Sequence, residues 1–458
     1  MRIKLGISYS IDQIAQAVKG RLYCSGDQMI THISTDSREV LPGDLFFALN
    51  GVKQSGEDFA LEAKEKGAIV VSQTKENAHV FVNNTSDALL SFASFYCKSL
   101  PYILYKIGIT GSVGKTTTKE FAKIILSQKY KVHATSGNFN NEIGMPLSLL
   151  SAPRETQVLI MEMGMNHTGE ISRLSNCLRP NIGIITNIGR AHIGNLGSRE
   201  AIAAAKLEIL DGMDGGMLFI PYGESLLSSA SYGISVSFNN TGADICLIDQ
   251  ENDSVSVLLN KRLFCKSVFR LREPQHKICL AFSAGLGLYL GLSPSELSRG
   301  ISLISRNNTR QNIVLKGGRC FITDFYNASP ESVEACIEAA KYISDNRPKN
   351  LLLGDMLELG ERSAEIHQEV AKKISSKLFK NLYVFGNFSE NTEKGAIESG
   401  FPCEHIFINK DLTRPDVTAK QIKEFSAANE LIIMKASRGV RLERVLDYFE
   451  GKAEDENG

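Results

Sequence analysis

A chain of 458 residues is too long for one hydrophobic core, and the usual domain size divides it into about three units. Its 51 basic and 51 acidic residues give a net charge of zero, which excludes a global field for nucleic acid or an anionic membrane, so any polyanion site must be local. The 9 cysteines are scattered without a C-x-x-C pair, which argues against a disulfide framework and a structural zinc site and fits a reducing cytoplasm.

The opening Met1-Arg2-Ile3-Lys4-Leu5 lacks the apolar core of a signal peptide. The longest uncharged apolar stretch, Ile278 to Leu292, is short of a membrane span and broken by glycines. A soluble protein is expected. Residues 1–100 mix short strands with helices such as Ile11 to Val18, which Ser10 can cap and Gly20 can follow, and read as a small N-terminal α/β domain. A boundary near Pro101 opens a second unit, residues 101–307, whose alternating strands and helices predict a doubly wound, mostly parallel sheet covered on both faces.

That unit begins with its most informative segment. Ile103 to Ile109 reads as a buried strand, and Phe121, Ile124 and Ile125 recur at helical spacing beyond it. Between them lies Thr110-Gly111-Ser112-Val113-Gly114-Lys115-Thr116-Thr117, a glycine-rich loop running into a helix. Backbone N–H groups at such a helix start, backed by the positive end of its dipole, hold phosphate oxygens. Gly111 and Gly114 let the loop close, Lys115 reaches the terminal phosphates, and the Thr116 hydroxyl can ligate Mg²⁺. The pattern is T-G-x-x-G-K-T and marks a nucleoside triphosphate site.

In doubly wound sheets functional groups gather beyond the carboxyl ends of the strands. Val158 to Met161 ends in Glu162, and Ile182 to Ile185 ends in Thr186-Asn187 with His192 beyond. A carboxylate and an imidazole beside a triphosphate are natural partners of Mg²⁺ or its water shell. On a helix predicted over Ile202 to Leu210, Lys206 falls on the apolar stripe, where a cation is scarce unless its stem snorkels to the rim.

After Asn307-Asn308 a third α/β unit, residues 308–458, restarts the rhythm. It contains strand Cys320 to Thr323 and a helix begun by Ser329-Pro330 with Val333, Cys336, Ile337 and Ala340 on one face. Strands Leu351 to Leu353, Leu382 to Phe385 and Leu431 to Met434 follow, and Glu454 to Gly458 forms an acidic tail.

These residues resemble the Mur ligases along nearly the whole chain. Gly111 to Thr117 matches the family's phosphate loop, and Gly137-Asn138-Phe139-Asn140-Asn141-Glu142-Ile143-Gly144-Met145-Pro146 matches its G-N-x-N-N-x-I-G-x-P run. Asn166-His167-x-Gly169-Glu170 after Glu162, Ala191-His192-Ile193-Gly194 and Ala205-Lys206-x-Glu208-Ile209 are similar to its Mg²⁺-binding segments. Gly354-Asp355-Met356-Leu357-Glu358-Leu359-Gly360 with Ser363 and His367, Tyr326-Asn327-Ala328-Ser329-Pro330 and Lys435-Ala436-Ser437-Arg438 resemble the branch that adds D-alanyl-D-alanine. Thr35-Asp36-Ser37-Arg38 looks like the segment that holds the UDP end of the substrate. Where the family commonly carries an asparagine near adenine, the run His276-Lys277-Ile278-Cys279-Leu280 has Leu280.

The resemblance implies three domains, with a Rossmann-like C-terminal one, and an ATP-dependent ligase acting through an acyl phosphate. It implies ATP held by Gly111, Ser112, Val113, Gly114, Lys115, Thr116 and Thr117, with Arg310 and Asp324 orienting γ-phosphate and ribose. One Mg²⁺ would sit at Thr116 and Glu162, a second at His192 and a carbamylated Lys206. UDP-N-acetylmuramoyl-tripeptide would meet Ser37, Arg38, Asn138, Asn140 and Asn141. D-alanyl-D-alanine would meet Asn327, Asp355, Glu358, Lys435, Ser437 and Arg438. A cytoplasmic monomer without a nucleic-acid partner is expected. A sister ligase with another amine, or a chain that binds nucleotide without catalysis, are the alternatives.

Overall fold

The computed structural model describes residues 2–24, 28–51, 54–230, 233–271, 273–306, 312–325, 327–343 and 346–449. Arg310 and Tyr326 lie outside the described residues, as does the acidic tail.

Three sheets follow one another along the chain. The first has 6 strands, in the order Arg2–Ser10, Met29–Ser34, Leu45–Phe47, Ile69–Ser72, Val80–Phe81 and Arg21–Leu22. Its central pairings are parallel and its two edge pairings antiparallel. Helix Ile11–Ala17 begins as the sequence predicts: the Ser10 hydroxyl accepts the Gln13 N–H and the Gln13 side chain accepts the Ser10 N–H, a reciprocal cap worth about 1 kcal/mol.

The second sheet has 9 strands. Val132–Ala134, Val158–Glu162, Tyr105–Thr110, Ile182–Ile185, Met217–Pro221, Ile234–Phe238 and Ile245–Gln250 run parallel in that spatial order. The expected alternation of strand and helix then breaks, because Ile245–Gln250, Ser254–Leu259 and Arg262–Val268 form an antiparallel meander at the edge. Its turns explain the departure. Asn252 and Asp253 at one, and Asn260 and Lys261 at the other, all take positive φ, the left-handed pairs that close tight hairpins. The helix expected over Ile202 to Leu210 is Arg199–Leu207 followed by a 3₁₀ turn, Glu208–Gly212. The apolar stretch around Ile278 becomes helix Pro274–Tyr289, a core helix packed on Lys115–Leu126. Among the described residues no helix is long and apolar enough to cross a membrane.

The third sheet has 6 strands, in the order Asn312–Lys316, Arg319–Asp324, Leu431–Lys435, Lys349–Gly354, Leu382–Phe385 and Ile406–Asn409, parallel except at the first pair. Ser329 and Ser332 form a capping box at the start of helix Pro330–Ala339, with Pro330 in its first turn, where the missing N–H is harmless. The carboxyl ends of the second and third sheets meet, and the candidate site lies where they do.

Candidate active site

Register places the phosphate loop between two other strand ends. Ile109 pairs with Glu162 on one side and Thr110 with Ile185 on the other, so the loop, the Glu162 carboxylate and the Thr186 segment emerge together. Gly114 has φ 82° and Gly111 φ 145°, and a Cβ on Gly111 would stand 1.9 Å from Thr186 Oγ1. Only glycine fits there. The Thr186 hydroxyl donates to Val113 O at 2.6 Å, the Val113 N–H donates to Asn187 Oδ1 at 3.0 Å, and the Gly189 N–H donates to Ser112 Oγ at 2.9 Å. The neighbouring strand end thereby holds the loop in shape. Lys115 Nζ bends back over it, donating to Gly111 O at 2.7 Å, while Thr116 and Thr117 open the helix behind.

Glu162 is 1 % exposed. Its backbone N–H donates to the Thr135 hydroxyl at 2.8 Å, and Asn140 Nδ2 donates to its Oε1 at 2.8 Å. Its Oε2 is sealed from water without a hydrogen-bond partner. A buried carboxylate oxygen left unpaired is costly, and a cation beside the phosphate loop is the partner its chemistry calls for. Lys206, 2 % exposed, does not snorkel. Burial above all, and then the Lys115 charge, hold its amine well below the ordinary lysine range, with Glu331 opposing. Burial also lowers Lys115, against the pull of Glu162. Among the described residues no three His, Cys, Asp or Glu side chains form a ready-made cage. A hard cation taking its remaining ligands from phosphate oxygens and water fits the orphaned Glu162 oxygen.

His192 caps helix Ile193–Leu196 with φ 63°, and its Nδ1 lies 2.5 Å from Glu358 Oε2 of the C-terminal domain. That hydrogen bond lowers the Glu358 carboxyl below the usual range. The Gly194 N–H donates to Glu358 O at 3.1 Å. Glu358, expected at the dipeptide, thus meets the predicted metal histidine.

Asp355 is the other acid expected at the dipeptide. It is 2 % exposed, its Oδ2 accepts the Asn387 N–H at 2.8 Å and its Oδ1 the Phe388 N–H at 3.1 Å. Each oxygen thus accepts one backbone N–H, and the pair fixes the loop around Asn387. Lys435 is also buried and engaged, donating to Asp324 Oδ2 at 2.7 Å and to Asn327 O. Ser437 Oγ donates to Ala328 O at 3.2 Å and accepts the Leu357 N–H at 3.0 Å. Lys435 and Ser437 thus tie together the three segments expected at the dipeptide, and Arg438 beside them is exposed.

Of the residues expected at the UDP-substrate, Ser37 donates to Glu62 Oε2 at 3.0 Å and exposed Arg38 pairs with Asp36 at 2.6 Å. Asn141 accepts the Gly144 N–H at 2.8 Å and so starts helix Gly144–Leu150. Asn140 orients Glu162, and Asn138 is half-buried beside it in sequence. On the adenine side Leu280 is fully buried, and Lys277 pairs with Asp249 while lying 5.4 Å from the Phe238 ring.

Two residues escaped the sequence reading. Fully buried Lys119 donates to Thr135 O at 2.7 Å and Gly137 O at 3.0 Å, fastening the Gly137 run to the phosphate-loop helix. Its place one turn after Lys115 was the available signal. Arg190 joins Glu331, Glu334 and Glu369 of the C-terminal domain, a long-range pairing that no local pattern announces.

Comparison with known proteins agrees with this layout. The Mur ligase family catalytic domain matches residues 29–91, the Mur ligase middle domain residues 109–256 and the Mur ligase glutamate ligase domain residues 309–438. The UDP-N-acetylmuramoyl-tripeptide–D-alanyl-D-alanine ligase of Bacillus subtilis is 33 % identical over 96 % of this chain and 98 % of its own. The enzyme of that name from Treponema pallidum is 33 % identical over 95 % and 98 %. Among solved structures, MurF from Acinetobacter baumannii superposes with a TM-score of 0.84 at 25 % identity, covering 97 % of this chain and 99 % of that one. MurF from Thermotoga maritima in complex with ADP superposes with a TM-score of 0.74 at 28 % identity, covering 91 % and 96 %.

Proposed function

Because this chain belongs to the Mur ligase family, we propose that it joins D-alanyl-D-alanine to UDP-N-acetylmuramoyl-tripeptide at the expense of ATP. The products are ADP, phosphate and the UDP-muramoyl-pentapeptide used in peptidoglycan synthesis. Forming an amide from a carboxylate in water is uphill, and the carboxylate is a poor electrophile. Its oxygen therefore attacks the γ-phosphorus of ATP, ADP leaves, and the acyl phosphate is opened by the dipeptide amine with loss of phosphate.

The first step brings two anions together, so positioned cations are the main requirement. Lys115 lies over the loop that cradles the phosphates, and Asn140 fixes the Glu162 carboxylate. Bound Mg²⁺ supplies further neutralisation of the phosphate oxygens; Thr116 with Glu162, and His192 with Lys206 as its carbamate, would hold it. The depressed basicity of Lys206 supports carbamylation, since only the neutral amine adds to CO₂. Arg310 and Asp324 are assigned to γ-phosphate and ribose. Exposed Arg438 is assigned to the dipeptide carboxylate, with Asn327, Lys435 and Ser437 shaping that pocket. Ser37, Arg38, Asn138 and Asn141 are assigned to the UDP-substrate.

The observation that carries this reading is the buried, unpartnered Glu162 oxygen beside the phosphate loop, which suits a magnesium-assisted phosphoryl transfer. The test is phosphate release with ATP and UDP-muramoyl-tripeptide, comparing D-alanyl-D-alanine with L-alanyl-L-alanine and glycine. Release is expected with the D,D-dipeptide alone; equal rates with all three amines would remove the assignment.

A further inference from the structure

Lys119 follows Lys115 by one turn in helix Lys115–Leu126, so the two side chains leave the same face. Lys115 bends back over the phosphate loop, whereas Lys119 is sealed inside the protein at 0 % exposure. A buried ammonium needs an acceptor for each of its three N–H groups. Lys119 has them: its Nζ donates to Thr135 O at 2.7 Å and to Gly137 O at 3.0 Å, and lies 3.0 Å from Glu120 Oε1. Two of these acceptors are backbone carbonyls of a single segment.

That segment continues strand Val132–Ala134. The Thr135 N–H still donates to Ile160 O at 3.0 Å, after which the chain runs irregularly, with Gly137 at φ 51°, to helix Gly144–Leu150. The segment grips Glu162 twice. The Thr135 hydroxyl accepts the Glu162 N–H at 2.8 Å, and Asn140 Nδ2 donates to Glu162 Oε1 at 2.8 Å. Asn140 is itself confined: its carbonyl accepts the Gly164 N–H at 2.7 Å, and a Cβ on Gly164 would stand 2.9 Å from Asn140 Cγ. A methionine in place of Lys119 would fill much the same space without the desolvation cost of a charge. What the ammonium adds is a fixed spacing between the phosphate-loop helix and the segment that holds Glu162.

We propose that Lys119 is a positioning residue for phosphoryl transfer: by pinning Thr135 and Gly137 to the phosphate-loop helix it sets, through Thr135 and Asn140, the aim of the Glu162 carboxylate at the cation beside the triphosphate. It acts through those groups and not by contact with the nucleotide. The assignment rests on the reading of Glu162 as a Mg²⁺ ligand and is independent of which amine the enzyme accepts.

The experiment measures the affinity of the full-length protein for a non-hydrolysable ATP analogue by calorimetry, with Mg²⁺ and with EDTA, and takes the ratio as the gain due to metal. Lys119→Met keeps the apolar stem and removes the donors. Its affinity in EDTA should stay close to wild type, because Lys115 and the loop N–H groups are untouched. The gain due to Mg²⁺ should fall about 10-fold or more, the usual scale for losing a group that orients a metal's ligand. Asn140→Ala should lower the gain too, and the double variant should lose no more than the larger single loss, since both act through one carboxylate. Lys123→Gln removes a charge from an exposed site on the same helix and should match wild type. A wild-type gain in Lys119→Met, equal losses of affinity with and without Mg²⁺, or losses that add to those of Asn140→Ala would each overturn the proposal, the second describing a lysine that serves packing alone. Should Lys119→Met fail to fold, Lys119→Gln, which keeps a shorter donor, decides on the same criteria. A wild type indifferent to Mg²⁺ would remove the Glu162 reading and this proposal with it, whereas loss of dipeptide selectivity would strike the ligase assignment alone.

Discussion

An ammonium sealed inside a cleft loses its water shell without replacement, and this burial holds the Lys206 amine well below the ordinary lysine range. In the carbamylated form proposed above, the residue would matter for the negative charge it acquires. Lys206→Ala should lower turnover by about 100-fold or more, the scale of losing one electrostatic stabiliser, and added formate or acetate should restore part of it. Phosphate release with and without the short carboxylate checks this; absence of any rescue would argue that Lys206 serves only packing. The cluster was legible in sequence to the extent that local pattern carried it. The phosphate loop has a motif, Glu162 ends an apolar run, and Lys206 interrupts an apolar stripe. The backbone partners of Asp355 were not legible, because a motif position does not tell which groups a carboxylate meets, and Asn387 and Phe388 come from a distant loop. Arg190 and Glu331 pair across 141 positions of sequence, where no periodicity reaches.

At the scale of elements, apolar runs of four or five residues flanked by turn residues were sufficient to place Ile182–Ile185 and Leu382–Phe385, since a strand covered on both faces is apolar throughout. The edge meander of the central sheet went unseen because its half-polar strands lack such a run, and its Asn-Asp and Asn-Lys turns carry the hairpin signal without glycine. One element contact also has a pH signature. His79 Nδ1 accepts the Val70 N–H at 3.0 Å, which requires the neutral ring, and burial followed by the Lys64 charge lowers its pKa from 6.5. The folded state therefore binds fewer protons than the unfolded one below that value. The contribution of this contact is present in full above 6.5 and is lost as pH falls through the folded-state value. Against His79→Asn, which can accept the same N–H without titrating, wild type should lose relative stability between about pH 7.5 and about pH 5. Denaturant melts at the two pH values test this, and a constant difference would contradict it.

At the scale of the molecule, the reaction proposed here needs a cleft that opens to three substrates and then excludes water from an acyl phosphate. The contact surface between the central and C-terminal domains is suited to such a motion. It includes ion pairs around Arg190, the His192–Glu358 hydrogen bond and a bare approach of two glycines, where a Cβ on Gly194 would stand 2.3 Å from Gly360 N and 2.7 Å from Glu358 O. Gly194 lies in the short helix Ile193–Leu196, so alanine suits its own backbone while obstructing the partner domain. Gly194→Ala should leave nucleotide binding at the phosphate loop and the thermal unfolding of the protein close to wild type, because neither depends on that approach. Turnover should fall by about 100-fold, the scale of displacing reacting groups by an ångström, and scattering with nucleotide and UDP-substrate should show a domain arrangement that fails to compact. Full turnover in the alanine variant would mean that the ligase works without bringing Gly194 and Gly360 together, and that the meeting of these two surfaces is not the step that assembles the site.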